Sequence, residues 1–464
     1  MIQAMPTVRI INTGTAMGPD GRLIAGTDFL DMPIARLTLD VTETLATGKW
    51  TGIERVVRRL AVELVSGAEG VPRVRLVAAI GGRFHELNAT GRDRLFNPGS
   101  KVGNNAHAVG NGRLRLLATR ILSYAPPLFL ALQARQKERR FAPLLRSLTD
   151  EQPVDFSGGD VLLLLDSYWA GTSTITAARA ARRVGARVIS AIYDIIPITH
   201  PTYMTTFLKI AFPHYMLAAL RTSDVAVAIS QYSAAELRRW LGRRLPTLPI
   251  SWFHLGNDPT ASEPTVRSGP VTNYTMIGTI EPRKGHNRVL DAFQGRWAAG
   301  EACRLTIVGR RGWIDSETIA RFDALAGESR LRLVHDADDD RLADILAETD
   351  AVIMASRAEG FGLPIVEALA LDIPVLASDI EIFREIGNEA ILAFDPDDSL
   401  ALIAAMKTLE ADPELYRARA RDFSWPSWQK AARELLAAID RSLRAAPTLN
   451  TSRRSTKSGN KTSM

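Results

Sequence analysis

The 464 residues are 46% hydrophobic and 23% charged, the balance of a globular chain with room for two large domains and their cores. A formal net charge of +6 and an isoelectric point near 9.5 point to an acidic partner, whether phosphate, anionic lipid or nucleic acid. One cysteine excludes an internal disulfide. With no run of about 18 uncharged apolar residues and no N-terminal apolar core, the sequence predicts neither a membrane crossing nor export, so the expected compartment is the cytoplasm.

Residues 1–35 read as a loose, Gly-containing lead. Residues 36–41 read as the first strand, and Ile53, Val56, Val57, Leu60, Ala61 and Leu64 then recur at helical spacing, which puts Gly52 at a helix N-terminus. That junction is either a small-residue rim facing a cleft or a plain helix start. After a strand at 74–80 the patterning lapses, so that 85–160 reads as an insert. Within it, 113–146 carries Arg113, Arg115, Arg120, Arg135, Lys137, Arg139, Arg140 and Arg146 against Glu138 alone. Such a basic stretch, interleaved with leucines, either lies on an anionic bilayer surface or packs its apolar face on the domain with its arginines in water.

Short apolar runs at 161–166, 187–194 and 225–230 read as buried parallel strands. Asp166, Ser167, Tyr168, Asp194 and Ser230 to Ser233 stand at their C-terminal ends, the edge where open α/β sheets bind ligands. His200 closes a loop stiffened by two prolines and is either structural or in contact with substrate. A Pro-, Ser- and Thr-rich linker at 259–270 ends a first domain at 36–262. Strands at 273–277, 304–308, 331–334, 351–355, 374–377 and 390–393, with helical patterns between them, predict a second, doubly wound parallel sheet at 271–422. The polar, basic 447–464 lacks a core pattern and is expected to be disordered.

The second domain carries the most informative stretch. Residues 350–355 form a strand that runs through Ser356, Arg357, Ala358, Glu359, Gly360, Phe361, Gly362, Leu363 and Pro364 into a helix bearing Glu367. Two glycines let backbone N–H groups approach an anion, and Pro364 suits a first helical turn. Glu359 precedes the helix and Glu367 lies about one turn inside it, so both can accept bonds from hydroxyls; alternatively Glu359 caps the helix and Glu367 is solvated. The 273–277 strand ends in Gly278, Thr279, Ile280, Glu281, Pro282, Arg283 and Lys284. The adjacent cations suit a diphosphate, Arg283 as a fork and Lys284 as a point charge. The acidic run Asp336 to Asp340 reads as a helix-capping loop, and no metal site is expected.

Taken together, these motifs resemble the family 4 retaining glycosyltransferases, whose GT-B fold sets two Rossmann-like domains face to face across a cleft. The resemblance covers most of 36–440 and includes Thr51 to Val56, Asp194 to Pro197 and Ser230 to Ser233. It implies catalytic roles for Glu359, on donor-sugar hydroxyls, and for Arg283 and Lys284, on the departing diphosphate. It also implies donor binding by Gly52, Gly278, Phe361, Gly362, Leu363 and Glu367, with Glu367 on the ribose. Thr279 stands where many relatives carry arginine, and Tyr193 where many carry histidine. Residues 423–446 resemble the family's final helix, which crosses back to the first domain. The function this implies is metal-independent, cofactor-free transfer of a hexose, with GDP-mannose as the expected donor, onto a lipid-linked or polysaccharide acceptor of bacterial surface-polysaccharide assembly, at the inner membrane surface through 113–146. Two other classes fit parts of the sequence. A non-catalytic nucleotide-sugar binder would keep Arg283, Lys284 and Glu367. A nucleic-acid binder would use the basic excess, but the arginines cluster with leucines in no known nucleic-acid motif, so no nucleic-acid partner is expected.

Overall fold

The structure, a computed structural model, describes residues 36–49, 52–67, 73–97, 126–167, 172–257 and 267–445 except 315, 336 and 399, with a short antiparallel pair, β1 (Ala16–Met17) and β2 (Leu23–Ile24). The rest of the expected lead, Arg113, Arg115 and Arg120, Tyr168, Asp336, most of the 259–270 linker and the 447–464 tail lie outside the described residues.

The first sheet contains β3 (Arg36–Asp40), β4 (Val74–Ile80), β5 (Arg83–Leu87), β6 (Thr149–Pro153), β7 (Asp160–Leu164), β8 (Arg187–Ile192), β9 (Val225–Ala228) and β10 (Ile250–Trp252), in the order β10-β9-β8-β7-β3-β4-β5-β6. Pairing is parallel from β10 to β4, whereas β5 and β6 add antiparallel. The expected insert at 85–160 is thus partly sheet, with the helices Ala89–Phe96 and Pro126–Ser147 beside it. TDEQP hid β6 because this edge strand faces water at its three central positions and carries no apolar alternation, and RFHEL hid β5 because only Phe84 and Leu87 in it are apolar.

The helix Pro126–Ser147 packs its apolar side on the domain and turns its basic side outward. Ala142 and Leu145 are buried in the first core, Ala134 is buried beside them on the same helix, and Lys137 pairs with Glu43 at 2.6 Å. Arg135, Arg139, Arg140 and Arg146 are exposed. This is a domain-packing helix with a basic outer face. Among the described residues no helix is long and apolar enough to cross a membrane.

In the second sheet β11 (Asn273–Ile277), β12 (Arg304–Val308), β13 (Leu331–Val334), β14 (Ala351–Met354), β15 (Val375–Ser378) and β16 (Ile391–Phe394) run wholly parallel in the order β13-β12-β11-β14-β15-β16. Strand order reverses between β11 and β14, so the loops that leave them emerge side by side on the carboxyl edge. The helix Trp428–Ala445 returns to the first unit, where it packs on the helix Ile53–Val65, β9 and β10. The Ser251 hydroxyl donates to the Ala438 carbonyl at 3.3 Å and the Asn257 amide to the Pro426 carbonyl at 2.9 Å. The architecture is α/β, two Rossmann-like units bridged by this last helix, as expected.

Asp166, expected on the cleft edge, is fully buried and accepts from the Thr44 and Ser167 amides at 2.6 and 2.7 Å. Asp40, on the neighbouring strand, is equally buried and is bonded by Thr42. Burial, then repulsion from Asp166, pushes Asp40 up to about 8, and burial pushes Asp166 up to about 7. Both values lie above the ordinary carboxylate range. Their neutral forms therefore stabilise the fold fully below about pH 4, and that contribution is lost as pH rises through 7 and 8. Melting temperature should fall between pH 6 and 9, and Asp40→Asn or Asp166→Asn should flatten that fall by roughly 3–6 °C in a thermal-melt series. An unchanged slope in both variants would refute the assignment.

Candidate functional site

The two adjacent loops are locked by close backbone approach. After β11, residues Pro282–Lys284 form a 3₁₀ turn that ends at Gly285, whose φ is +77° and whose Cβ, if present, would lie 2.3 Å from the Ala355 carbonyl oxygen. No other residue fits there. The Arg357 amide donates to the Arg283 carbonyl at 2.8 Å, stitching the β11 loop to the β14 loop.

This places Arg283 and Lys284 on Glu359. One Arg283 guanidinium nitrogen lies 2.8 Å from a Glu359 carboxylate oxygen and also donates to the Ala358 carbonyl at 2.8 Å, while Nε pairs with Glu281 at 2.7 Å. The Lys284 ammonium donates to the other Glu359 oxygen, which also accepts from the Ser356 hydroxyl at 2.7 Å. Burial opposes charge on Glu359, yet Arg283 and Lys284 outweigh it and hold the carboxyl down to about 2. For Arg283, burial is overcome by Glu359 and Glu281, which raise it; for Lys284, burial prevails and lowers it. Asp194, from the first unit, is raised by burial against the pull of Arg283. Glu359 is therefore a carboxylate clamped between two cations, not a helix cap; the residue before the helix is Gly362.

Beyond the clamp, Gly362 (φ +114°) precedes the helix Leu363–Leu369, in which Leu363 is the first residue and Pro364 the second. Glu367 on that helix bonds across the cleft to Arg55 at 2.6 Å, on the helix Ile53–Val65 that starts after Gly52. Gly278 (φ +145°) lies with its would-be Cβ 3.5 Å from the Lys284 ammonium. Of the sequence-predicted residues, Arg283, Lys284, Glu359 and Gly278 thus come together, and Glu367 pairs with Arg55, three positions after Gly52.

The bare Cα of Gly360 serves the opposing unit: a Cβ there would lie 2.3 Å from the Tyr193 carbonyl oxygen and 2.9 Å from Asp194 Cβ. The Ser230 and Ser233 hydroxyls donate to the Gly360 carbonyl at 3.0 and 3.2 Å. The Phe361 side chain is buried edge-on against His254 and Trp425, with ring centres 6.1 and 5.9 Å away. Tyr193 is structural, its hydroxyl donating to the Leu165 carbonyl at 2.7 Å. His200 bonds Thr199 at 2.9 Å and stacks on Tyr203. Asp338 caps the helix Asp339–Ala347 by accepting from the Arg341 amide at 2.9 Å, as expected of the acidic run.

Sequence reasoning gave no role to Glu281, Ser356, Arg55 or Glu385. Glu281 and Ser356 sit inside the quoted motifs, and their charge and spacing beside Arg283 and Glu359 were the available signal. Glu385 had none: its carboxylate accepts from the Gln231 and Tyr232 amides, each at 2.8 Å, and bonds His254 at 2.7 Å, all in the other unit.

Residues 265–422 match the family described as glycosyl transferases group 1. The second unit is a group 1 glycosyltransferase domain. Among curated relatives, the serotype-specific mannosyltransferase WbdA of Escherichia coli is 29% identical over 310 residues, 62% of this chain and 38% of that protein. O-antigen chain mannosyltransferase B of Escherichia coli is 27% identical over 255 residues, 52% of this chain and 67% of that protein. The chain therefore spans less than half the length of the first of these relatives. Among solved structures, sucrose-phosphate synthase from Thermosynechococcus elongatus aligns over 89% of this chain and 100% of its own, at 16% identity and a TM-score of 0.56. Anabaena HepE, crystallised with UDP-glucose, aligns over 88% and 98%, at 15% identity and a TM-score of 0.52. At those identities the likeness shows the fold, in which the glycosyltransferase domain faces a second Rossmann-like unit across the cleft that holds the clamp.

Proposed function

We propose that the chain transfers a hexose, mannose from GDP-mannose in the favoured reading, from a nucleoside diphosphate onto a lipid-linked or saccharide acceptor in surface-polysaccharide assembly, with retained anomeric configuration. The observation that carries this reading is the Arg283–Glu359–Lys284 clamp at the switch point of the second sheet. Two cations face two carboxylates, Glu281 and Glu359, so the clamp by itself is close to neutral. A diphosphate entering it competes for Arg283 and Lys284 and releases Glu359 to accept bonds from the donor-sugar hydroxyls. As the anomeric C–O bond breaks, its electron pair passes to the diphosphate, and the buried cations stabilise that charge more in the transition state than in the ground state. The acceptor oxygen attacks C1 on the same face, and its proton goes to the departing phosphate oxygen.

The relatives' mannosyltransferase names favour mannose, and the same names favour a polysaccharide acceptor. The exposed Arg135, Arg139, Arg140 and Arg146 are the described groups that would meet an anionic cytoplasmic leaflet. The test is a panel of radiolabelled sugar nucleotides incubated with the protein and a lipid extract. Label should pass into lipid or glycan from one donor, GDP-mannose first, undiminished by a chelator, and the product should keep the donor's anomeric configuration by NMR. No transfer from any donor would leave a nucleotide-sugar binder, and an inverted product would reject the same-face step.

A further inference from the structure

The helix Ile53–Val65 begins at Gly52 (φ +61°) without a side-chain cap, and Arg55 is its third residue. Long side chains on a helix sweep toward its N-terminus, so the Arg55 guanidinium reaches the open mouth of that helix. There it meets Glu367 at 2.6 Å, from the opposite unit, through one of the two carboxylate oxygens. Arg55 is a little over a quarter exposed and Glu367 about an eighth, so the pair is shielded but reachable from the cleft. A partly desolvated ion pair fixes a carboxylate's rotamer far more firmly than solvent does.

We propose that Arg55 is a positioning residue of the donor site. It holds the Glu367 carboxylate so that the second oxygen accepts from the ribose hydroxyls of the nucleoside diphosphate, and the same ion pair ties the first unit to the seated nucleoside. This rests on reading Glu367 as the ribose acceptor. Seating of the nucleotide and closure of the cleft then share one bond. Arg55 touches neither the anomeric carbon nor the leaving oxygen, so its loss acts on donor binding and not on the chemical step.

The experiment is titration calorimetry of the full chain with GDP, UDP and ADP, and, for the nucleotide that binds most tightly, with its 2′,3′-dideoxy form, alongside transfer kinetics. Wild type should prefer the ribonucleotide about tenfold or more. Glu367→Gln should abolish that preference. Arg55→Gln should reduce it severalfold and raise the donor KM about tenfold, with kcat within about threefold of wild type, and Arg55→Lys should recover part of the loss. The double variant should be no weaker than Glu367→Gln alone, because the two residues act as one unit. If Glu367→Gln keeps the ribose preference, the ribose reading itself fails, and Arg55's role with it. If Glu367→Gln loses the preference while Arg55→Gln keeps it, or the two losses add, only the Arg55 proposal is overturned.

Discussion

Glu359→Gln should lower transfer by about 10²–10³-fold while nucleoside diphosphate affinity holds or tightens. The substitution keeps the shape of the side chain and removes its charge, so the Ser356 bond has a partner while Arg283 and Lys284 lose their shared counter-ion. A diphosphate then meets two cations that no longer have to be taken from a carboxylate, which favours product binding. The sugar, in contrast, loses its ionised acceptor, and rate is lost. Stability carries a second signature. A carboxyl held down to about 2, below its ordinary 4.5, stabilises the fold above about pH 4.5 and loses that contribution as pH falls toward 2. Glu359→Gln should therefore be destabilised at neutral pH, removal of one partner of a buried pair being worth about 3–5 kcal/mol, and should converge on wild type as the solution is acidified. Transfer within tenfold of wild type, or a stability gap that persists at pH 2, would contradict the clamp's assigned role. A binder without catalysis would show the affinity result and no rate to lose.

The clamp was legible in sequence because each half is local. Gly278 to Lys284 follows one strand, Ser356 to Glu367 follows another, and two parallel strands that flank a switch point bring their following loops together without further information. β11, β12 and β13 also fall on the expected residues, since short strand patterns that alternate with helical ones mark a parallel doubly wound sheet. The polar strands β5 and β6, at one end of the first sheet, do not. Nor does anything that depends on the units meeting. Asp166 looks like a cleft residue by position and proves to be core, paired in depth with Asp40. Arg55 reads as one more helix cation, and Glu385 as a solvated helix residue, until the opposing unit supplies Glu367 to the first and two helix amides to the second.

Gly360→Ala should cost activity about as much as losing the clamp itself, about 100-fold or more, although residue 360 bears no functional group. The position is absent from the positive-φ glycines, so alanine suits its backbone conformation and the second unit should fold normally. The obstacle lies across the cleft: a methyl group would stand 2.3 Å from the Tyr193 carbonyl oxygen, a backbone atom that cannot swing aside as a flexible side chain would. Separating the units there also pulls the Gly360 carbonyl from Ser230 and Ser233, and lengthens the reach from Glu385 to the Gln231 and Tyr232 amides. The expected result is an unchanged melting temperature for the second unit, an enlarged radius of gyration by small-angle scattering, and loss of transfer. Ser230→Ala, which removes one of two hydroxyl bonds to the same carbonyl, should cost less than about tenfold. Gly362→Ala provides the contrast, because its φ of +114° and a Phe383 ring carbon 3.0 Å from the added methyl strain the second unit internally and should lower its melting temperature. If Gly360→Ala instead melts early like Gly362→Ala, or transfers sugar at the wild-type rate, close approach of the two units at Gly360 is not what the reaction requires.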